Sequence, residues 1–193
     1  MILCQTRKFS ILSIAAETVE NDIVNRALYE RLIDLFQKCQ ISYEELVHEA
    51  TLTSEASVVA RINGGWRETT LASGAKAMLM RRKKVNENES AFILCVLAAN
   101  RKLDWKKLRK TIAKDLRLAT EEEVFEVSRC LPGAVPPFGS QFFSEPPPIT
   151  VMDDSLRDLE LINFNCGLRT NSIRMSLATY LDLEQPKVVS FSS

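Results

Sequence analysis

Ala75-Lys-Ala-Met-Leu-Met-Arg81 and Ala91-Phe-Ile-Leu-Cys-Val-Leu-Ala98 decide the fold. The second is an unbroken apolar run, the signature of a strand covered on both faces, and the first is a shorter apolar strand interrupted by Lys76. The polar, basic stretch between them, Arg81 to Ser90, contains Asn86 and Asn88 and reads as the connection of a hairpin.

Working outward toward the C-terminus, Asp104 is placed to cap a helix running to about Ala113, with Trp105, Leu108 and Ile112 on one face. Thr120 and Glu123 form a capping box ahead of a helix over 121–128. Strands are expected at Ile149–Met152, Leu161–Asn165 and Ser172–Met175, and Ser176 caps a last helix over 177–182. Toward the N-terminus, Thr53–Ile62 reads as a helix and Ile41–Val47 as a short edge strand. Val19, Ile23, Ala27, Leu28, Leu32, Leu35, Phe36 and Cys39 recur at helical spacing, predicting an amphipathic helix over 19–39. Intermixed helices and strands predict an α/β or α+β single domain built on a mixed sheet. The expected organisation is an N-terminal extension and helix over 1–40, a domain over 41–183 and a loosely attached tail over 184–193.

The chain has 193 residues, 46% hydrophobic and 26% charged, an ordinary globular balance that excludes a disordered chain. Its formal net charge is zero, but 13 of the 25 basic residues fall in 76–117. A strongly positive middle can bind an anion locally although the whole is neutral. No apolar run reaches the length of a membrane span. The acid-free first 16 residues contain Arg, Lys and Ser, in the manner of an organelle transit segment. The five cysteines are odd in number and lack CxxC spacing, so thiols in a reducing, cytoplasmic compartment fit better than a disulfide framework or a zinc knuckle.

Six of the seven prolines lie in 131–148, which makes this a shaped loop. Within it, Leu131-Pro-Gly-Ala-Val-Pro-Pro-Phe-Gly139 can hold backbone N–H groups outward as a rigid donor array for a carbonyl or oxyanion; a structural turn is the other reading. Lys76 in an apolar strand either faces water or meets an anion. His48 is the single histidine, so no two-histidine metal site exists, and a packing or surface role is open to it. Asn165 and Ser172 flank Gly167 at a strand end, where they either line a pocket or cap it. Arg81, Arg82, Lys83 and Lys84, with Lys106 and Lys110 on the following helix, form either a solvated face or a track for a phosphate backbone. P-loop, GxGxxG and HExxH patterns do not occur, which removes the common nucleotide and zinc-protease readings.

In order, these pieces resemble the YbaK/ProX family, which comprises editing domains of prolyl-tRNA synthetase and free-standing aminoacyl-tRNA deacylases. The carrying segments are Val47-His-Glu49, Thr53-Ser-Glu-Ala56, Ser73-Gly-Ala-Lys-Ala-Met78, Asn100-Arg-Lys-Leu-Asp104, Pro132-Gly-Ala-Val-Pro-Pro-Phe-Gly139, Val151-Met-Asp-Asp-Ser-Leu156, Phe164-Asn-Cys-Gly167 and Asn171-Ser-Ile-Arg-Met175. The resemblance spans roughly 40–183 and is most specific at the proline loop and at Gly74-Ala75-Lys76.

The resemblance implies a barrel-like mixed sheet surrounded by helices and hydrolysis of the ester joining a wrong amino acid to tRNA. It implies no metal or cofactor, and as partners the tRNA acceptor end and an aminoacyl-tRNA synthetase. By that match Gly133, Ala134, Val135 and Pro136 hold the aminoacyl carbonyl, and Lys76 meets the terminal phosphate or ribose. Pro137, Phe138, Asn165, Gly167 and Ser172 bound the substrate pocket, and His48 shapes its entrance. A catalytically weak module binding tRNA or synthetase is the alternative. Ala77, Asn165 and the absence of a tyrosine just before His48 depart from the pattern and leave the amino acid undetermined.

Overall fold

The computed structural model describes residues 26–83, 85–86 and 89–193. The expected transit segment, the first part of the helix over 19–39, Cys4 and Lys84 lie outside these residues. Five α-helices and eight strands are described, in two sheets.

The N-terminal helix α1 is Ala27–Lys38 and buries Leu28, Leu32 and Phe36. Strand β1 (Glu44–Val47) is followed by α2 (Ser54–Asn63), whose N-cap is Thr53, with its hydroxyl accepting from the Ala56 N–H. The two decisive segments form β2 (Ala75–Arg82) and β3 (Phe92–Ala98), an antiparallel pair in register from Ala75 opposite Ala98 to Arg81 opposite Phe92. Asp104 caps α3 (Trp105–Thr111) by accepting from the N–H groups of Lys106 and Lys107. After β4 (Leu116–Leu118), the Thr120–Glu123 capping box starts α4 (Glu121–Ser128). Strands β5 (Ile149–Asp153), β6 (Leu161–Asn165) and β7 (Asn171–Ser176) lead to α5 (Leu177–Glu184) and β8 (Lys187–Val189).

The larger sheet has the order β4-β2-β3-β5-β8, antiparallel on the β2 side and parallel where β3, β5 and β8 meet. The smaller sheet, β1-β7-β6, is antiparallel. One bridge, Gly74 to Asn163, joins the sheets, and Asn163 secures it by donating from its backbone N–H to the Ser73 carbonyl at 2.9 Å. The main core lies between the sheets and under α1, with residues from β2, β3, β5, β6 and β7. A second core sits beneath α3 on the other face of the larger sheet, around Cys95, Leu97, Leu108 and Phe191.

The C-terminal segment differs from expectation. Instead of hanging loosely, β8 pairs in parallel with β5, Phe191 is fully buried, and the Asp153 carboxylate accepts from the Phe191 and Ser192 N–H groups at 2.7 and 2.9 Å. A buried aromatic and a charge-assisted anchor hold the chain end in place. No helix among the described residues is long and apolar enough to cross a membrane. Cys39, Cys95 and Cys166 carry free thiols.

Candidate active site

The sheets separate beyond the Gly74–Asn163 bridge and leave a cavity of about 430 Å³. Strand β4 pairs with β2 only at Met80–Arg82, so the earlier half of β2 keeps an open edge on this space. The walls are that edge (Ala75–Leu79), the end of β6 (Asn163–Asn165), the inner face of α2 (Ser57, Val58, Arg61) and the loop residues Pro132, Gly133 and Val135. Among the described residues, no carboxylate, imidazole or thiol lines the cavity, and the charged side chains that do are Lys76 and Arg61.

The proline loop is built from its carbonyls. Arg169 donates from Nε and Nη2 to the Pro132 carbonyl at 3.0 and 2.8 Å, and the Asn165 Nδ2 donates to Gly133 at 2.9 Å. The Gly167 N–H donates to Ala134, and the Tyr180 hydroxyl donates to Pro137. Gly133 has φ +86°, where a side chain would be strained, and the turn closes with the Ala134 N–H on Leu131. Among the described residues, the N–H groups of Gly133 and Val135 have no partner. The loop is thus held by its acceptors, and the two residues whose donors are left over line the cavity.

Lys76 lines the same cavity. Its ammonium donates to the Arg101 carbonyl at 2.8 Å, and burial lowers its pKa, opposed by Glu55 and assisted by Lys102. Of the residues singled out in the sequence, Lys76, Gly133, Val135 and Asn165 line this cavity.

Other residues from the sequence reading fall elsewhere. Ala134 and Pro136 are buried beneath the loop and Pro137 supports it through its carbonyl. Phe138 is fully buried, with ring centroids 5.6 Å from Phe36, 5.6 Å from Phe164 and 5.3 Å from Tyr180. It is a core residue because its apolar ring gains more from that aromatic cluster than from a wet cavity. Gly167 makes the β6–β7 turn at φ +98°, where an added Cβ would stand 3.0 Å from the Tyr29 backbone nitrogen. Its role is to let the chain turn and pass close to α1.

Ser172 is fully buried behind the cavity wall, and His48 lies behind Ser172 in a separate surface groove with Tyr29, Glu45 and Asn171. The His48 Nε2 meets the Ser172 hydroxyl at 2.8 Å and Nδ1 meets the Glu49 carbonyl at 2.7 Å. A carbonyl only accepts, so Nδ1 carries the proton and Nε2 accepts from Ser172. Burial lowers the His48 pKa and the Arg61 charge adds to that, keeping the ring neutral at pH 7.

The surface cations also divide. Arg81 donates to Glu123 at 2.5 Å and stacks on Phe92, Arg117 grips the same carboxylate, and Arg82 pairs with Glu89 at 2.7 Å. Arg81 and Arg82 are therefore neutralised by the protein's own carboxylates at its surface, whereas Lys83, Lys106 and Lys110 are exposed.

Arg61 is the residue that sequence reasoning missed. It is 4% exposed and donates from Nε to Ser172 at 2.9 Å and from Nη2 to Asn165 Oδ1 at 2.9 Å. Burial lowers its pKa to about 10. No local signal marked it: only the fold shows that α2 buries Ser57 and Arg61, four residues apart, while leaving Val59 and Ile62 exposed.

The family model of the aminoacyl-tRNA editing domain matches residues 48–183. The chain belongs to the aminoacyl-tRNA editing domain family. The editing domain is 34% identical over 167 residues to the multifunctional Ser/Thr-tRNA deacylase ProXp-y of Escherichia coli (strain K12), covering 84% of this chain and 92% of that protein. Its fold matches a crystal structure of the hypothetical protein APE2540 with a TM-score of 0.70 at 16% identity, covering 84% of this chain and 99% of that one. It also matches a candidate trans-editing enzyme for prolyl-tRNA synthetase with a TM-score of 0.67 at 20% identity, covering 90% and 96%.

Proposed function

We propose that this editing domain is a free-standing aminoacyl-tRNA deacylase that hydrolyses the ester of mischarged tRNA in the cavity between Lys76 and the Gly133–Val135 segment. One observation carries the reading: Gly133 and Val135, whose main-chain N–H groups have no partner among the described residues, share a cavity with a half-buried ammonium. Relationship to a Ser/Thr-tRNA deacylase supports it, and so does the match to a candidate trans-editing enzyme.

An aminoacyl ester is already activated, so the protein must position it and stabilise the charge that develops on its carbonyl oxygen. Water attacks the carbonyl carbon, the carbonyl oxygen takes the negative charge opposite the Gly133 and Val135 N–H groups, and the ester C–O bond breaks. Of the water's two protons, one goes to the departing ribose oxygen, and the other is released to solvent as the amino acid leaves as a carboxylate. Lys76 holds the terminal nucleotide through its phosphate or ribose. His48 serves no direct role in proton transfer, because Ser172 and the cavity wall separate it from this space. Lys83, Lys106 and Lys110 meet the acceptor stem, a partner that a cytoplasmic protein encounters. A synthetase is the further partner in this reading.

The test is a deacylation screen over a panel of mischarged tRNAs. Release of amino acid from at least one, lost in Lys76→Ala with the fold retained, supports the reading; inertness across the panel refutes it.

A further inference from the structure

We infer that Arg61 is a positioning residue for the oxyanion-binding loop, acting through the side-chain amide of Asn165. This rests on the deacylase reading of the cavity.

The argument begins with what is costly. A guanidinium that is 4% exposed has lost most of its hydration, and a buried charge ordinarily needs an opposite charge nearby. Among the described residues Arg61 has no carboxylate partner: it donates to the neutral oxygens of Ser172 and Asn165, and Arg174 is a like charge that lowers its pKa further. Helix α2 exposes Val59 and Ile62 while burying this arginine, so burial of apolar surface does not explain its orientation. A buried charge kept without a counter-charge is the kind of local conflict that marks function.

The hydrogen bonds say what it does. Asn165 has one acceptor and one donor group, which look alike in shape and are distinguished only by their partners. The Arg61 Nη2 is donor-only, so it fixes Oδ1 on its side; Nδ2 is then forced toward the loop, where it donates to the Gly133 carbonyl at 2.9 Å. Ser172 completes the arrangement: its hydroxyl accepts from the Arg61 Nε, stands 3.3 Å from Asn165 Oδ1, and gives its one hydrogen to His48 Nε2 at the shorter distance of 2.8 Å. Arg61, being unable to lose its proton at working pH, imposes one polarity on the chain of bonds. That polarity ends at the Gly133–Ala134 peptide, between the two N–H groups without partners. With Arg61 removed, Asn165 loses the donor that anchors its Oδ1, and its amide is free to swing away from the Gly133 carbonyl and release the loop.

The test uses the full chain with Arg61→Met, Asn165→Ala, their combination, and Asn165→Asp. Each single variant is expected to lower single-turnover kcat about 30-fold, below the roughly 100- to 1000-fold of losing an oxyanion donor outright because the donors are displaced rather than removed, with KM for the mischarged tRNA changed less than threefold. The double variant should be no slower than the slower single one within about twofold, since one pathway is cut twice. Asn165→Asp keeps a partner for Arg61 but cannot donate to Gly133, so it should fold and still lose turnover. A fold-independent readout accompanies these: the amide resonances of Gly133 and Val135 should shift in Arg61→Met and in Asn165→Asp. Multiplying effects in the double variant, wild-type kcat in Asn165→Asp, or unshifted amide resonances in Arg61→Met would each overturn the inference. Inactivity of the wild-type protein on every tRNA, with the resonances shifting as stated, would instead refute the deacylase reading and leave the positioning role standing.

Discussion

Two groups of cations lie a short distance apart and differ in what holds them. Arg81, Arg82 and Arg117 are on the surface and each has a carboxylate, Glu123 or Glu89. Lys76 and Arg61 line the cavity and are held by backbone carbonyls and neutral side-chain oxygens. The surface group is electrically satisfied by the protein itself. The cavity group is left with charge to offer. Charge counted along a sequence is thus a poor guide to charge available for a ligand, because partners distant in sequence consume it.

The largest expected effect separates the groups by activity. Lys76→Ala should lower kcat/KM for a mischarged tRNA about 100-fold, comparable to losing a preorganised charge interaction in a water-poor site. Arg81→Ala should lower it less than threefold. Equal losses in both would erase the distinction.

Stability should show the reverse. Arg117 foremost, with Arg81 and the Thr120 N–H, holds the Glu123 carboxyl down to about 2 from 4.5. A depressed carboxyl stabilises the fold above its unfolded pKa and stops doing so as pH falls through its folded one. Glu123→Gln should therefore cost about 1–2 kcal/mol at pH 7, through a lost ion pair and a weakened capping box. It should also flatten the loss of stability between pH 4.5 and 2 seen by urea titration. An unchanged acid profile would mean that the surface cluster contributes nothing.

His48, in the groove behind the cavity wall, provides a smaller effect. Its folded pKa lies below 6.5, so the unfolded chain takes up the proton first, and stability should decline as pH drops through 6.5. His48→Asn should lessen that decline in thermal melts taken between pH 7.5 and 5.5. The smallest effect concerns the exposed lysines. Lys106→Ala or Lys110→Ala should reduce the salt slope of tRNA binding by about one each, while Arg82→Ala leaves it unchanged.

Much of the fold was legible because its signals are local. The β2–β3 hairpin, the Asp104 cap and the Thr120–Glu123 box each depend on residues close in sequence, and the structure contains all three. The C-terminal strand was not legible. Lys187–Val189 is three residues long, and its anchor, Asp153, is remote in the chain. In the site, the loop and Lys76 could be singled out as unusual in their own segments. Phe138 could not be assigned correctly, since a phenylalanine beside a polar loop gives no hint of the aromatic cluster formed by Phe36, Phe164 and Tyr180. Arg61 was invisible for the same reason in reverse. An arginine in a helix normally faces water, and only contacts with Asn165 and Ser172, over a hundred positions away, reveal it as buried.

The most direct test of the central claim is a crystal structure with a non-hydrolysable 3′-aminoacylamino-adenosine bound. The account predicts its carbonyl oxygen within hydrogen-bonding distance of the Gly133 and Val135 N–H groups, with Lys76 lining the same space. Binding of the aminoacyl group in the His48 groove, with the Gly133–Val135 cavity left unused, would contradict it.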